Sequence, residues 1–396
     1  MSTTAREQVA GYAPAPATPS TIARRIPSLD LMRGVIMILM AIDHVRVYSG
    51  IPAGGPSPAI FFTRWVTHFC APGFVFLAGT AAFLHGRKLG DRGALAKYLV
   101  IRGLLLVALE LTLIRFSWTF NVAYSEFILA GVIWMLGWCM VILGALVHLS
   151  PKIVGWLGLG ILMLQQSFGL LPRAMPDSMR ATVAPVWNFF YPTGVDGPAA
   201  ISILYVLVPW VGVMAAGYGF GLIMVMEPER RNRLLTRIGL AAIAFFLVVG
   251  GAAALADSGS DAPFLFRLLG QQKYPASQLF LAMTLGPMIA LLPLAARARG
   301  KLALATETVG RVPMFYYLAH IPLIHLSALA VNAMRTGSGH QEWYATAPFA
   351  SVPEEQRWPL WLLYAVFAVD VALLYVACRW YARVKAERPQ GWMRFF

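Results

Sequence analysis

The chain has 396 residues, of which 58% are hydrophobic and only 13% are charged, and its mean hydropathy is +0.65. A soluble domain carries about a quarter charged residues, so this composition excludes a water-soluble protein and predicts a polytopic membrane protein. The formal net charge is +14, but the basic residues stand between apolar runs, which suits an anionic membrane surface better than nucleic acid.

The N-terminal segment, residues 1–27, is rich in Ala, Pro and Thr and predicts a disordered cytoplasmic tail. The first apolar run follows Arg24 and Arg25 and is long enough to span a bilayer, so we expect a retained helix rather than a signal peptide. A transmembrane domain is predicted over 28–386, followed by a short basic tail over 387–396.

Ten apolar runs predict ten transmembrane helices and therefore an all-α integral membrane helix bundle. The two longest connections, about 172–200 and 335–357, have room for short surface helices. The predicted spans are 29–48, 65–85, 98–115, 124–148, 153–171, 201–226, 237–256, 277–296, 312–334 and 358–380.

Basic residues are unevenly divided between the connections. With the N-terminus inside, the inner segments carry about twice as many Lys and Arg as the outer ones. Positively charged loops tend to stay in the cytoplasm and the span number is even, so both termini are predicted to be cytoplasmic. We expect a multi-pass protein of the cytoplasmic (inner) membrane.

Signatures of soluble enzymes are absent from the sequence, including the Walker loop, the GxSxG elbow, HExxH and the dinucleotide fingerprint. No internal repeat supports an inverted-repeat transporter. The glycine-rich stretch GVMAAGYGFG favours close helix packing over phosphate binding. Cys70, Cys139 and Cys378 lie far apart in apolar runs, without the spacing of metal ligands, and are interpreted as small buried hydrophobic residues.

Ionisable side chains inside spans are costly to bury and therefore mark candidate functional sites. The first span, RGVIMILMAIDHVR, carries three of them near its outer end: Asp43, His44 and Arg46. The second span starts with RWVTHFCAPGFVFLAG, and consecutive spans joined by a short loop are normally neighbours. Arg64 and His68 are therefore expected at the same level, with His44 and His68 sharing a cavity.

Two later segments add polar groups. KYPASQLFLAMTLGP brings Lys273 and Tyr274 to the outer start of the eighth span, and GRVPMFYYLAHIPLIHLSALA places His320 at mid-membrane and His325 beyond it. The structural alternatives are a helix–helix hydrogen bond for each of these histidines and a local ion pair within the Asp43 group. Two further intramembrane acids, Glu110 and Asp370, have no evident partner in the sequence.

The chemistry of these groups suits proton transfer. Imidazole has an ordinary pKa near 6.5 and can act as a general base, while neighbouring cations can hold an anionic substrate or a developing oxyanion. Arg33 precedes His44 by eleven residues, about 16 Å along a helix. One helix thus offers a cation at the inner boundary and a base near the outer one, as a reaction between substrates from opposite faces requires.

Five ordered stretches carry a family resemblance: RGVIMILMAIDHVR, RWVTHFCAPGFVFLAG, LVPWVGVMAAGYGFG, KYPASQLFLAMTLGP and GRVPMFYYLAHIPLIH. Over about residues 26–385 the chain resembles the bacterial branch of the heparan-alpha-glucosaminide N-acetyltransferase-like membrane family, within a wider superfamily of transmembrane acyltransferases. The resemblance implies a ten- or eleven-helix bundle that takes acetyl from cytosolic acetyl-CoA. It implies that the acceptor is a sugar amine or hydroxyl on the far side of the membrane.

The functional residues of these relatives carry over unevenly. In related membrane O-acyltransferases an Arg near the start of span one precedes a functional His by eleven residues, which matches Arg33 and His44. The lysosomal sugar acetyltransferase resembles this chain at PGFVFLAG, but its functional His lies in the loop before that segment. This chain has no His between Val45 and Thr67. His68 stands where relatives more often have Asp, so it is a candidate without being an equivalent.

The leading hypothesis is an acyl-CoA-dependent acetyltransferase that modifies an extracytoplasmic sugar, glycan or glycolipid. The catalytic candidates are His44 and His68, with Asp43 orienting an imidazole. Acetyl-CoA is the expected co-substrate, its phosphates meeting Arg33 and Arg311, and no metal is predicted. The candidates for acceptor binding are Arg46, Arg64, Lys273, Tyr274, His320 and His325.

Two other function classes stay open. A transporter or flippase for a small polar or lipid-linked molecule would use intramembrane His, Asp and Arg as a proton relay. A non-catalytic subunit of an envelope assembly would show neither a ligand effect nor substrate flux. The expected partners are membrane lipids and the sugar or glycolipid acceptor, with no nucleic acid and with a homodimer allowed.

Overall fold

A computed structural model describes residues 26–54, 57–192, 201–257, 259–387 and 391 of the chain. The apolar runs form helices because a helix satisfies its own backbone polar groups, as any segment in lipid must. Local residues set the helix ends. Ser57 accepts a hydrogen bond from the Ile60 N–H and precedes Pro58, the first residue of a helix. Gly50 ends the first helix of the chain in the left-handed conformation, with φ at 72°.

The described part of the chain contains seventeen α-helices and two short strands. In chain order they are α1 (Pro27–Ser49), α2 (Pro58–Trp65), α3 (Cys70–Leu89), α4 (Arg92–Leu109), α5 (Arg115–Thr119), β1 (Ile128–Ala130), α6 (Val132–Leu146), α7 (Pro151–Leu164), α8 (Leu170–Arg173), α9 (Asp177–Phe190), β2 (Ile201–Ile203), α10 (Leu207–Met224), α11 (Pro228–Phe245), α12 (Gly251–Ala256), α13 (Phe264–Leu269), α14 (Gln278–Ala295), α15 (Lys301–Arg311), α16 (Pro313–Thr336) and α17 (Leu360–Glu387). The strands pair in parallel, with Ile128 opposite Ile201.

Short turns of other helical types make several of these helices continuous. They are the 3₁₀ turns Val66–Phe69 and Gln165–Gly169 and the π turns Glu110–Ile114 and Phe246–Gly250. The π turn at Glu110 has a structural role, because its carboxylate accepts hydrogen bonds from the N–H groups of Ile133 and Trp134 and so caps the start of α6. Glu110, which lacked an evident partner in the sequence, is thus accounted for.

Seven helical segments of the described chain are long and apolar enough to cross a membrane. They are Pro58–Leu89, Pro151–Arg173, Leu207–Met224, Pro228–Ala256, Gln278–Ala295, Pro313–Thr336 and Leu360–Glu387. The second, fourth and seventh bury only 22% of their most apolar window, which leaves a broad apolar surface for lipid. The all-α membrane bundle is confirmed, while the count of ten spans and the orientation of the termini stay predictions.

Three predicted spans differ from those seven segments. α1 and α4 carry several charged side chains along their length, and α6 has 15 residues, about 22 Å, against a hydrocarbon core of about 30 Å. The predicted span 124–148 is wrong at its start, because residues 124–131 form turns and β1. The second span begins at Pro58, earlier than predicted.

The predicted connections agree in part with the structure. Residues 172–200 hold α9, and residues 335–357 hold only the 3₁₀ turns Glu342–Tyr344 and Glu354–Gln356. The predicted tails 1–27 and 387–396 lie almost entirely outside the described residues.

Two close helix crossings position the interior. α1 crosses α15 so tightly that a Cβ at Gly34 would overlap the carbonyl oxygen of Thr306. The same crossing fixes Arg311, the last residue of α15, relative to Arg33, whose guanidinium donates a hydrogen bond to the Gly310 carbonyl at 3.1 Å.

The second crossing joins α3 and α10. A Cβ at Gly217, within GVMAAGYGFG, would overlap the carbonyl oxygen of Phe76. That contact confirms that the glycine-rich stretch serves close helix packing. It also brings the loop that precedes α10 to the end of α1 that carries His44, where Tyr205 and His44 line one cavity.

Candidate functional site

Two histidines meet where α1 lies against α16. Nδ1 of His44 lies 2.7 Å from Nε2 of His320, and the two rings stack with their centroids 4.8 Å apart. His320 is fully buried. Its other nitrogen, Nδ1, lies 2.6 Å from the carbonyl oxygen of Tyr317 and 3.2 Å from that of Tyr316. The Trp118 indole contacts the His44 ring edge-on, at 4.8 Å between centroids.

These contacts determine which nitrogen carries each proton. A carbonyl oxygen only accepts, so Nδ1 of His320 is protonated and donates to Tyr317. Nε2 of a neutral His320 then accepts the proton of His44 Nδ1, which leaves the lone pair of His44 on Nε2. A charged His320 would be a fully buried cation with no carboxylate in ion-pairing distance among the described residues, which is far more costly.

A small cavity lies beside His44, and we call it the histidine cavity. Its volume is about 40 Å³, and its lining includes His44, Phe74, Val132, Tyr205 and Lys273. This volume is close to that of one water molecule, so a group bound there contacts several of these side chains at once.

Lys273 supplies a cation to the histidine cavity. It is only 8% exposed and begins the turn that its bridge to Ala276 closes. Its Nζ lies 5.7 Å from the ring centroid of Tyr205 and 5.2 Å from that of Tyr274, and no carboxylate of the described chain lies in ion-pairing distance. Burial, and then the neighbouring Tyr274 hydroxyl, raises the pKa of Tyr205, so that the Tyr205 hydroxyl stays neutral.

Asp43 also lines the histidine cavity, and it holds two arginines there. One carboxylate oxygen is 2.9 Å from Nε of Arg46 and the other is 2.7 Å from the Arg64 guanidinium, which also donates to the Thr67 hydroxyl at 2.8 Å. The local ion pair between Asp43 and Arg46 that the sequence allowed is therefore present. His44 is not part of this ion pair. Both carboxylate oxygens are engaged by arginines, so Asp43 ties α2 to α1 rather than orienting an imidazole.

A second, larger cavity lies at the other end of α1, and we call it the basic cavity. Its volume is about 380 Å³. Five basic side chains line it: Arg33, Lys88, Arg102, Arg311 and Lys385. Two acids partly offset them, because Asp30 pairs with Arg33 at 2.8 Å and Glu307 pairs with Arg311. The cavity keeps a surplus of positive charge, which suits a ligand with several phosphates.

The two cavities adjoin. Phe74 and Val132 belong to both linings, so these two side chains form the partition between them. α1 lines both cavities with residues at three- and four-residue spacing from Arg33 to His44, which is the spacing of one helix face. The two cavities therefore follow one face of α1 between Arg33 and His44.

The remaining predicted residues lie elsewhere. Neither of these two cavity linings in the described chain includes His68, whose ring contacts Phe280 at 5.4 Å between centroids, so a shared cavity for His44 and His68 stays a prediction. His325 stacks between Tyr48 and Phe120 and its Nδ1 hydrogen-bonds the Ser117 carbonyl oxygen at 3.1 Å, as in a packed core. Tyr274 borders Lys273, whereas Arg46 and Arg64 serve Asp43.

Sequence reasoning missed the partition and half of the basic cavity. Phe74 and Val132 are ordinary apolar residues in their helices, and nothing in a linear pattern marks them. Lys88, Arg102 and Lys385 carry no signal in the sequence beyond their positive charge. The second unexplained acid, Asp370, accepts a hydrogen bond from the Ser327 hydroxyl at 2.7 Å.

Potential metal ligands do not cluster in this region. Among the described residues, no three His, Cys, Asp or Glu side chains converge as metal ligands would. The contact between His44 and His320 is a hydrogen bond between ring nitrogens.

One comparison with known proteins gives a match. The sequence profile described as "Heparan-alpha-glucosaminide N-acetyltransferase, catalytic" matches residues 25–256, more than half of the chain. The matched part includes His44, Phe74, Val132 and Tyr205 and ends before Lys273 and His320. No curated protein matches the sequence.

Proposed function

Because the chain belongs to the heparan-alpha-glucosaminide N-acetyltransferase family, we propose that it transfers an acetyl group from acetyl-CoA to an amine or hydroxyl of a sugar, glycan or glycolipid across the membrane. The donor would enter from the cytoplasm and the acceptor from the opposite face. The observation that carries the proposal is the adjoining of the two cavities along one face of α1.

The basic cavity supports the donor assignment. Coenzyme A carries a diphosphate and a third phosphate, and arginine and lysine are the side chains that bind such groups. Arg33 and Arg311, the residues expected to meet these phosphates, both line this cavity, and Lys88, Arg102 and Lys385 join them. The cavity lies at the end of α1 that the distribution of positive charge assigns to the cytoplasm.

The histidine cavity supports the transfer step. Nε2 of His44 would take the proton from the acceptor amine or hydroxyl while that nitrogen or oxygen attacks the thioester carbonyl carbon. The carbonyl oxygen becomes negatively charged, and Lys273 lines the same small cavity. When the carbon–sulfur bond breaks, the electron pair leaves with sulfur and His44 returns the proton to it. The products are the acetylated acceptor and the free thiol of coenzyme A.

The test incubates membranes containing the protein with radiolabelled acetyl-CoA and follows label into lipid, glycan and the protein itself. We expect transfer by the wild type and a loss of at least about 10²-fold in H44A, because a general base contributes 10²–10⁴-fold. H148A is the matched control, since His148 is exposed and its ring lines neither cavity of the described chain. Full activity in folded H44A would remove His44 from the reaction.

Binding of acetyl-CoA separates this proposal from transport of an unrelated molecule. A ligand that binds the folded state raises its stability, by about 2.7 kcal/mol at a hundred times the dissociation constant. We expect acetyl-CoA to raise the melting temperature of the purified protein and an unrelated nucleotide to leave it unchanged. A melting temperature that stays constant at millimolar acetyl-CoA would favour the transporter.

A further inference from the structure

We propose that His320 is a positioning residue, which holds His44 in the tautomer with a bare Nε2 and stays neutral as the acceptor of the His44 Nδ1–H. This inference rests on the proposed transfer reaction and gives His320 a role other than the acceptor binding expected from the sequence. The evidence is a continuous hydrogen-bonded line from the Tyr317 carbonyl through His320 to His44.

The position of His320 excludes direct contact with a substrate in either cavity. His320 is fully buried, and neither cavity lining of the described chain contains it. It lies behind His44, on the side of the ring that carries Nδ1, whereas His44 itself lines the histidine cavity. His320 therefore acts through His44.

The hydrogen bonds give that action a direction. The Tyr317 carbonyl oxygen, 2.6 Å from Nδ1 of His320, holds a proton there and leaves Nε2 as an acceptor. That acceptor draws the proton of His44 to Nδ1, 2.7 Å away. Without it, His44 would bury an unpaired N–H at Nδ1, and the other tautomer, with its proton on Nε2, would become the favoured one.

The same line of bonds stabilises the charge that His44 takes up during the reaction. When His44 takes a proton at Nε2, it becomes an imidazolium whose Nδ1–H donates to the neutral His320 across 2.7 Å. The charge stays on His44, because a charged His320 would be a fully buried cation with no carboxylate in ion-pairing distance among the described residues. His44 gives up its Nε2 proton when the coenzyme A thiolate leaves, so the pair ends neutral. A carboxylate in this place would instead be an unpaired buried charge before the reaction starts.

The residues around the pair keep this arrangement rigid. Trp118 contacts the His44 ring edge-on, and the His320 ring lies 5.6 Å from that of Tyr316 and 5.2 Å from that of Tyr317, between centroids. Because His320 is fully buried, water cannot readily replace the acceptor that it provides. A substitution at position 320 is therefore expected to change the state of His44 directly.

Three substitutions separate the roles of His320. H320Q places an amide oxygen near the position of Nε2 and can accept from His44 as the neutral imidazole does. H320M fills the space without an acceptor. H320N is a smaller change that can bond to the Tyr317 carbonyl without reaching His44.

The first measurement needs no acceptor. Diethyl pyrocarbonate modifies the unprotonated nitrogen of a histidine, and peptide mass spectrometry reports the rate at His44 in the purified full-length protein. We expect wild type and H320Q to react at similar rates, and H320M and H320N to react at least about tenfold more slowly. A tenfold lower rate corresponds to a shift of about 1.4 kcal/mol in the free-energy difference between the two tautomers of His44. Equal rates in all four proteins would overturn the positioning role, whether or not the protein is a transferase.

The second measurement uses release of the coenzyme A thiol from acetyl-CoA, with glucosamine as the probe acceptor. We expect kcat to fall about 10²-fold in H320M and H320N and to stay within about threefold of wild type in H320Q, with KM for acetyl-CoA within twofold of wild type in all three. H148M serves as the surface histidine control. A rise in KM with unchanged kcat would refute the positioning role of His320. If the wild type shows no transfer but the rate of His44 modification still depends on residue 320 as expected, only the proposed function is refuted.

Discussion

Replacing Lys273 with methionine removes a buried positive charge and keeps a side chain of similar length. Lys273 is 8% exposed, lines the histidine cavity and has no carboxylate in ion-pairing distance within the described chain. A thioester carbonyl placed in this cavity of about 40 Å³ would lie near both Lys273 and His44, and near Asp43, whose charge the two arginines offset. We therefore expect Lys273 to stabilise the oxyanion that forms on this carbonyl.

The magnitude follows from the separation that such a cavity allows. Two unit charges about 4 Å apart interact by about 4 kcal/mol at an effective dielectric constant near 20. Loss of a single oxyanion donor in other enzymes lowers kcat by about 10²–10³-fold. We expect K273M to lower kcat within that range and to leave KM for acetyl-CoA within twofold, because the side chains assigned to its phosphates line the basic cavity.

Stability distinguishes this role from a structural one. Burial of an ammonium group lowers the stability of the folded state, and the Asp43 carboxylate in the same cavity already pairs with two arginines, so removal of the Lys273 charge is expected to keep or raise the melting temperature. The assay combines initial rates of thiol release with thermal melting of the same purified sample. K152M is the matched control, since Lys152 is exposed at the start of α7. A lower melting temperature together with unchanged kcat in K273M would refute the oxyanion assignment.

Two further predictions concern the basic cavity and its partition. R102M is expected to weaken acetyl-CoA binding about tenfold and to make binding less sensitive to salt, because it removes one charged hydrogen bond to a phosphate. R230M, at an exposed position, is the control and should leave the dissociation constant unchanged. Isothermal titration at two salt concentrations measures both dissociation constants. F74A opens the partition between the cavities and is expected to increase hydrolysis of acetyl-CoA relative to acetyl transfer severalfold, because water gains access to the thioester. The same ratio of hydrolysis to transfer in F74A and wild type would show that Phe74 does not separate the cavities.

Hydropathy predicted most of the helices because each apolar run must satisfy its backbone internally in lipid. It failed over residues 124–131 for an identifiable reason. The Arg115 guanidinium donates hydrogen bonds to the carbonyl oxygens of Phe127 and Ala123, at 2.8 and 2.7 Å, and to the Asn121 side chain at 2.6 Å. These contacts hold the segment as a loop, and no periodicity in a linear sequence reports a guanidinium that binds carbonyl groups twelve residues away.

The candidate site was predictable where one helix carries it. Arg33 and His44 share α1, so their separation follows from helical rise alone. The side chains that line the histidine cavity from this part of the chain are Thr67, Cys70, Ala71 and Phe74, which are spaced as one helix face. His68 lies off that face and contacts Phe280, a difference that the short distance to His44 along the sequence does not reveal.

The identity of the proton-accepting nitrogen is a property of tertiary structure. The sequence places an imidazole at positions 44 and 320 but leaves both tautomers of each open. Only the packing of α16 against α1 places Nε2 of His320 opposite Nδ1 of His44, and only a carbonyl of α16 itself orients His320. The base at His44 therefore depends on a helix near the other end of the chain, beyond the part that matches the family profile. A chain truncated after residue 256 would keep His44 and lose the group that sets its tautomer.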